Sequence, residues 1–168
     1  MKISFSKLLL FAMFATQTLI GAPLDQKMQK QQLESLLQAA LPFGEMMLKN
    51  HGEFFPYGAT MGVDEKNTNV GGYTGDEHPK SVEVIKLLKD AYRRDGAIGK
   101  IMACALVYDA RVIPPGQTEK IYAIAVDLDH RDGMSVTIIY PYKISSVKQM
   151  TFSQPYAQKG VAEIFPKK

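Results

Sequence analysis

The first regular pattern in the chain is a set of apolar residues at helical spacing between residues 24 and 41. The apolar positions are Leu33, Leu36, Leu37, Ala40 and Leu41. This spacing places them on one face of a helix and predicts a helix over residues 24–41. Because proline has no backbone N–H, Pro42 should interrupt this helix. A second short helix should follow over residues 43–50 and end at Gly52.

The pattern changes after Gly52. Residues 53–61 (EFFPYGATM) are aromatic and contain proline and glycine, which predicts an irregular or edge strand. Residues 64–67 predict a turn, and residues 68–73 a partner strand. An edge strand here could also support a homodimer.

A second helix is predicted after this pair of strands. Thr74 and Glu77 have the spacing of a capping box, Pro79 suits a first turn, and Gly96 suits the helix end. An apolar stripe between them comprises Val84, Ile85, Leu88, Ala91 and Tyr92.

From residue 97 onward the pattern is typical of strands. Residues 98–107 form one long apolar run, whereas residues 120–129 and 134–142 alternate. Turns are predicted at residues 114–116 and 130–133, and a last strand over residues 146–152. The tail from residue 154 has little pattern. We therefore expect a two-layer α+β domain, with an antiparallel sheet of about five or six strands and two main helices on one face.

The N-terminal residues predict an export signal. Lys2 and Lys7 precede an apolar run, and small residues stand near Ala22. An uncleaved anchor is the alternative, but the run is shorter than the roughly 20 residues that span a bilayer. We expect residues 1–22 to be removed, leaving one domain over residues 23–168, periplasmic or secreted, with no stable membrane anchor. The net charge then falls from +3 to about +1, because the leader carries two lysines and no acidic residue. A near-neutral domain gives no support for nucleic-acid binding.

Three segments carry a resemblance to a family. They are LKNHGEFFPYGA (residues 48–59), VDLDHRDG (residues 126–133) and PY (residues 141–142) followed by AEIF (residues 162–165). The chain resembles a group of small bacterial proteins that share an HGEF-x-P-[FY]-GA motif and a later HRDG…PY hairpin. This resemblance covers most of residues 33–165 and implies no secure activity. The known members of this group have no export signal, so the leader is a departure from the pattern. The order of strands and helices is also similar to profilin-like and roadblock-like domains, which mostly bind partners, by fold analogy only.

His51 and Glu53 flank Gly52 at the predicted junction between helix and strand. They could form an acid/base pair on a loop, since histidine titrates near neutral pH. The alternative, which we favour, is a structural corner: Gly52 makes the turn, His51 lies near the negative helix end, and Glu53 accepts bonds from backbone amides.

A second candidate surface combines residues at the ends of two strands. Asp127 and Asp129 share a face with small alanines, and Asp109 and Arg111 end the preceding strand; His130 and Arg131 follow in the hairpin. If the strands are neighbours, their small-residue faces form a trough with carboxylates at its end. Such a trough could hold a cationic or hydroxyl-bearing ligand or a partner's helix, or support acid/base hydrolysis of glycosides. The alternative, which we favour, is close helix packing with solvated acids. A working pair needs a carboxyl buried enough to shift its pKa.

Several chemistries lack their sequence patterns. The chain has three histidines and one cysteine, and they form no HxxxH or CxxC motif for a metal. The segment GGYTG (residues 71–75) lacks the spacing of a phosphate-binding loop. The GxSxG motif of serine hydrolases is also not present. Cys104 lies inside an apolar run, so we expect a buried thiol, and a single cysteine forms no intrachain disulfide. We expect no cofactor.

These observations favour an exported, non-catalytic binding module of the bacterial envelope with a protein partner, one version of which masks its partner as immunity-type proteins do. The alternative is a small periplasmic hydrolase that uses a carboxylate and a histidine.

Overall fold

The computed structural model describes residues 22–145 and 149–165. Two helices, α1 (Ala22–His51) and α2 (Ser81–Ala97), are present in this part of the chain. The strands are β1 (Tyr57–Gly62), β2 (Asn67–Gly71), β3 (Ile101–Val112), β4 (Ile121–His130), β5 (Ser135–Ile144), β6 (Met150–Phe152) and β7 (Tyr156–Lys159). The predicted leader lies outside the described residues, except for Ala22, the first residue of α1. Among the described residues, neither helix is both long and apolar enough to cross a membrane.

All seven strands form one antiparallel sheet in the order β2-β1-β3-β4-β5-β6, and β7 also pairs with β5. The predicted α+β fold with two helices and a single antiparallel sheet is therefore confirmed. The turns at residues 64–67, 114–116 and 130–133 connect neighbouring strands, as predicted. Strand β7 lies in the tail, where the residue pattern predicts no element.

Strands β6 and β7 follow one another along the same edge of β5, with a break between them. At the break, the Ser153 N–H donates to the Pro141 carbonyl oxygen at 2.9 Å. The backbone N–H and C=O of one strand residue point to the same side, so the N–H that Pro141 lacks would also have faced this edge. Pro141 therefore has no N–H to donate at the position on β5 where the break between β6 and β7 lies. Pro155 lies in this break.

Strand β1 lies inside the sheet. It pairs with β2 on one side and with β3 on the other, and the edge strand is β2. The prediction of an edge strand over residues 53–61 is therefore wrong, and β1 offers no free edge to a second copy. The homodimer itself stays a prediction. The aromatic and glycine residues suggested an irregular strand, but they have packing roles that the local pattern does not show.

Helix α1 is a single helix of 30 residues with Pro42 inside it, rather than two helices. The Tyr57 hydroxyl enters the helix at this proline. It accepts a hydrogen bond from the Gly44 N–H at 2.7 Å and donates one to the Ala40 carbonyl at 2.7 Å. The hydroxyl thus connects the two groups that would bond each other directly in a regular helix. Gly52 ends the helix with φ of +81°, as predicted.

The two helices lie on opposite faces of the sheet, whereas the sequence analysis expected both on one face. Leu36 and Leu48 of α1 pack with Ala105 and Val107 of β3. The cluster on the other face joins residues of α2 and β3 to the chain's C-terminal end and comprises Val84, Leu88, Tyr92, Ile101, Cys104, Leu106, Ile164 and Phe165. Residues 101–107 of β3 are all buried, because this strand is covered on both sides.

Helix α2 begins later than the capping pattern suggests. Its N-cap is Lys80, which forms no capping hydrogen bond from its side chain, so the predicted Thr74–Glu77 capping box is wrong. The Thr74 hydroxyl instead accepts from the Asp76 N–H within the preceding loop. The helix continues through Gly96, and Gly99, with φ of +69°, follows its end.

Candidate functional site

A groove of about 390 Å³ lies on the α2 face of the sheet. Helix α2 packs against β3 and β1, so it leaves the β4 and β5 part of this face without a helix. The groove floor is formed by three strands, and its walls come from α2, β7 and residues 160–165, which we call the C-terminal segment. Small side chains at Ala110 and Ala125 deepen the floor. We refer to this site as the sheet groove.

Asp127 lies on the floor of the sheet groove with both carboxylate oxygens held by hydroxyl groups. The Thr137 hydroxyl donates to Oδ1 at 2.6 Å, and the Tyr108 hydroxyl donates to Oδ2 at 3.1 Å. Thr137 is the register partner of Asp127 on β5, and Tyr108 lies on β3. Burial, and after it the contact with Asp127, raises the pKa of Tyr108, so the phenol stays protonated and can donate.

Asp129 lies two residues further along the same face and is 5% exposed. Its Oδ2 accepts a hydrogen bond from the Ile164 N–H at 3.0 Å, while its buried Oδ1 has no hydrogen-bond partner among the described residues. Burial raises the pKa of this carboxyl, and backbone N–H groups, that of Ile164 first, oppose the shift. Asp129 thus fastens the C-terminal segment to β4 and keeps one oxygen without a donor.

The C-terminal segment is also bonded to α2. Lys89 Nζ lies 2.6 Å from Glu163 Oε2, and Arg93 Nε donates to the Glu163 backbone carbonyl at 3.2 Å. Ile164 and Phe165 complete the apolar cluster below α2. One wall of the sheet groove is therefore a chain segment held at three points: a buried aspartate, an ion pair and two apolar side chains.

The trough, which was the less favoured of the two interpretations, does not form, although β3 and β4 are neighbours as it requires. In the register, Asp109 pairs with Ile124, whose side chain packs under α1, whereas Asp127 pairs with Leu106 on the α2 face. Asp109 is therefore on the opposite side of the sheet from Asp127 and Asp129. Alternation within each strand shows which of its own residues share a face. Which residues of β3 lie on the same face as Asp127 of β4 depends on the register between the strands.

Asp109 and Arg111 belong to an aromatic cluster on the α1 face. Asp109 Oδ1 accepts a hydrogen bond from the Tyr142 hydroxyl at 2.8 Å, and the Arg111 guanidinium lies 4.9 Å from the centre of the Tyr122 ring. Tyr122 stacks on Tyr142 with 5.9 Å between ring centres. These contacts fix the end of the sheet, and they lie apart from the sheet groove.

His130 is a buried histidine of the α1 face, 1% exposed. Its Nδ1 accepts the Asp132 N–H at 3.1 Å, so the ring hydrogen is on Nε2, which donates to Gln32 Oε1 at 3.0 Å. Burial lowers the pKa of His130 and keeps the ring neutral. Arg131 is exposed, and its backbone N–H donates to the Met102 carbonyl. Neither residue faces Asp127.

His51 and Glu53 are both exposed at the end of α1, on either side of Gly52. The structure brings them near neither the sheet groove nor His130. In the HGEFFPYGA segment, the buried residues are Phe54, Pro56, Tyr57, Gly58 and Ala59, and Gly58 forms a close contact with α2. The Tyr92 hydroxyl of α2 reaches across Gly58 to the Ala105 carbonyl at 3.1 Å, and a side chain at position 58 would overlap both groups.

Cys104 is buried, as predicted, and burial raises the pKa of its thiol. A buried thiol with a raised pKa is a poor nucleophile at neutral pH. Among residues 22–145 and 149–165, no group of three or more histidine, cysteine, aspartate or glutamate side chains is placed to bind a metal ion.

The residue pattern indicates the two carboxylates of the sheet groove, but not the residues that hold them, Tyr108, Thr137 and Ile164. A usable signal existed for Thr137, because it is a polar residue within the alternating pattern of β5. Ile164 could not be found, since the pairing of the tail depends on contacts distant in sequence.

No protein-family model matches the chain, and no curated protein or solved structure matches it either. The resemblance to the HGEF group and the analogy with profilin-like and roadblock-like domains stay predictions.

Proposed function

We propose that this protein is an exported, non-catalytic binding module of the bacterial envelope and that the sheet groove is its recognition site. The observation that carries the proposal is the fixed carboxylate of Asp127 on the floor of a groove of about 390 Å³. Fixed polar groups in a mostly apolar concave surface are typical of binding sites. Export rests on the leader pattern of residues 1–22.

The chemistry around Asp127 supports binding rather than turnover. Its two neighbours are hydroxyl donors, Tyr108 and Thr137, and the histidine ring of His130 is buried under α1 on the other face. An acid/base pair needs two groups that reach the same ligand atoms. The other carboxyl groups that line the sheet groove are Asp129 and Glu163, and Glu163 is paired with Lys89.

Asp129 is the observation that favours the alternative, a small hydrolase. Its raised pKa is the property expected of a general acid. However, one of its oxygens is bonded to the Ile164 N–H, and the side chain is almost completely buried. In our proposal this carboxyl contributes charge and structure, and it transfers no proton to a substrate.

Blocking the sheet groove tests this function. Ala110→Leu enlarges a half-exposed side chain at the groove, and Ala39→Leu makes the same change on α1 as a matched control. Purified proteins are incubated with envelope extract, and retained molecules are identified by native mass spectrometry. We expect wild type and Ala39→Leu to retain the same molecule and Ala110→Leu to lose it. Hydrolysis of chromogenic glycosides or esters, abolished by Asp127→Asn in a folded protein, would establish the hydrolase instead.

A further inference from the structure

Strand β2 forms one edge of the sheet, and the opposite edge is divided between β6 and β7 with Pro155 in the break. An edge strand presents a row of backbone N–H and C=O groups without partners, and proteins commonly protect such a row with lysine, proline or a bulge. The residues of β2, NTNVG (residues 67–71), include no charged residue and no proline. This edge therefore lacks the usual protection against pairing with a further strand.

The direction of the backbone groups of β2 follows from its hairpin with β1. The Gly62 N–H donates to the Lys66 carbonyl at 3.0 Å, so these two residues form a hydrogen-bonded pair at the start of the hairpin. Because such pairs alternate along an antiparallel ladder, every second residue of β2 bonds to β1, and the residues between them direct their N–H and C=O toward the free edge. These outward residues are Asn67, Asn69 and Gly71.

The three outward residues are arranged symmetrically about Asn69. If a second β2 strand lies antiparallel across a two-fold axis at this position, Asn69 is opposite the partner's Asn69, and Asn67 is opposite the partner's Gly71. Each pair exchanges two backbone hydrogen bonds, so the outward N–H and C=O groups of both strands are all satisfied. Any other register leaves at least one outward residue unpaired within the strand. The edge of β2 is thus self-complementary in one register.

The side chains of β2 are compatible with this pairing. Thr68 lies opposite the partner's Val70 on the α2 face, and β-branched cross-strand pairs of this kind are favourable. The two Asn69 amides lie opposite each other and can form hydrogen bonds. Thr68, Asn69 and Gly71 are exposed, and a Cβ at Gly71 would meet no atom within 4 Å, so the described part of the chain leaves this edge accessible.

We propose that two copies of this protein associate through β2, antiparallel about a two-fold axis at Asn69, so that their two sheets join into one. A second copy fits this edge because the outward backbone groups match their own arrangement and because the strand has no charge to repel its own copy. The sheet groove has its floor on β3, β4 and β5, so this surface is a separate one. The inference goes beyond the proposed function and does not depend on it.

Substitution of Asn69 tests the proposal through the molar mass, measured by sedimentation equilibrium of the purified protein. We expect the wild-type mass to rise toward that of two chains as the concentration approaches about 1 mM, because a contact of this small area is weak. Asn69→Lys and Asn69→Asp should each weaken association about fivefold, since like charges then lie directly opposite each other. An equal mixture of the two variants should associate at least as well as wild type.

Gln154→Lys and Gln154→Asp are the matched controls, because they place the same charges at an exposed residue of the opposite edge. They should leave the mass unchanged at every concentration, and Ala110→Leu in the sheet groove should do the same. A wild-type protein that stays a single chain at the highest concentration would overturn the proposal. So would a mixture of the two Asn69 variants that associates no better than either variant alone.

Asn69→Pro tests the backbone contribution. It removes the outward N–H at the axis and leaves the hydrogen bonds to β1 in place, so we expect a folded single chain, with folding checked by circular dichroism. If this variant does not fold, the charge variants decide the question. If wild type stays a single chain while Asn69→Pro fails to retain a molecule that wild type retains from envelope extract, the edge accepts a strand of another protein, and the proposal falls.

Discussion

Tyr57 is the residue whose role is least visible from its neighbours in sequence. Its hydroxyl bonds the Ala40 carbonyl and the Gly44 N–H inside α1, and burial raises its pKa to about 12. Both partners are backbone groups of a helix interrupted by Pro42. A single side chain from β1 thus satisfies the two backbone groups of α1 that do not bond each other directly.

Removing this hydroxyl should destabilise the protein. Tyr57→Phe leaves a buried donor and a buried acceptor without partners, so we expect the free energy of unfolding to fall by about 1–3 kcal/mol. Denaturant unfolding measures the change. Tyr73→Phe, at a tyrosine that is 77% exposed, should change it by less than about 0.5 kcal/mol. Equal effects of the two substitutions would contradict the role given to Tyr57.

His130 should make stability depend on pH. Burial lowers its pKa, so the folded protein binds the ring proton more weakly than the unfolded chain does. The stabilisation is present above the ordinary histidine pKa of 6.5 and is lost as the pH falls below it toward the folded value. Unfolding curves at several pH values should show this loss in wild type and in His51→Gln. In His130→Gln the slope should be flatter, although that variant is less stable; an unchanged slope would exclude His130 as its source.

At the scale of elements, the sequence predicted the regular patterns and missed how they combine. The stripe of α2 and the alternation of β4 and β5 gave those elements within a few residues, because burial of one face imposes the period. The long apolar run of β3 is typical of a strand that is buried on both faces, but both helices were expected on one face, and the structure places them on opposite faces. The register could not be predicted, and it is the register that places Asp109 and Asp127 on different faces.

The contact between α2 and β1 depends on a missing side chain at Gly58. A methyl group there would overlap the Tyr92 hydroxyl and the Ala105 carbonyl. We expect Gly58→Ala to lower the free energy of unfolding by about 3 kcal/mol or more, since backbone and helix must both move. Gly71→Ala on β2 is the matched control, because a methyl group there meets no atom within 4 Å. Thermal unfolding compares them, and equal stability of the two variants would refute the tight contact.

At the scale of the whole molecule, the sheet is covered unevenly. Helix α1 covers one face, while the other face has α2 over one half and the C-terminal segment along the boundary of the rest. The sheet groove is the space left between them. The sequence could predict its acids but could not predict the space, because the segment that encloses it has almost no pattern of its own.

The export expected from the leader has a direct test. When the full chain is expressed in a bacterium with a periplasm, the intact mass of the recovered protein should correspond to a chain beginning near Pro23, in the periplasmic fraction. Replacing Leu9 by Arg breaks the apolar run and should leave the uncleaved chain in the cytosol. Recovery of uncleaved wild-type protein from the cytosol would refute export.

The interruption between β6 and β7 limits how copies of this protein can associate. At this edge, Pro141 and Pro155 leave no unbroken row of backbone groups for an added strand to match. In the described part of the chain, β2 is therefore the one uninterrupted outer strand that a second molecule could extend. If two molecules pair through β2, the free edge of each one is occupied. Edge pairing could therefore give a closed two-fold pair, and the same contact could not be repeated into a fibre.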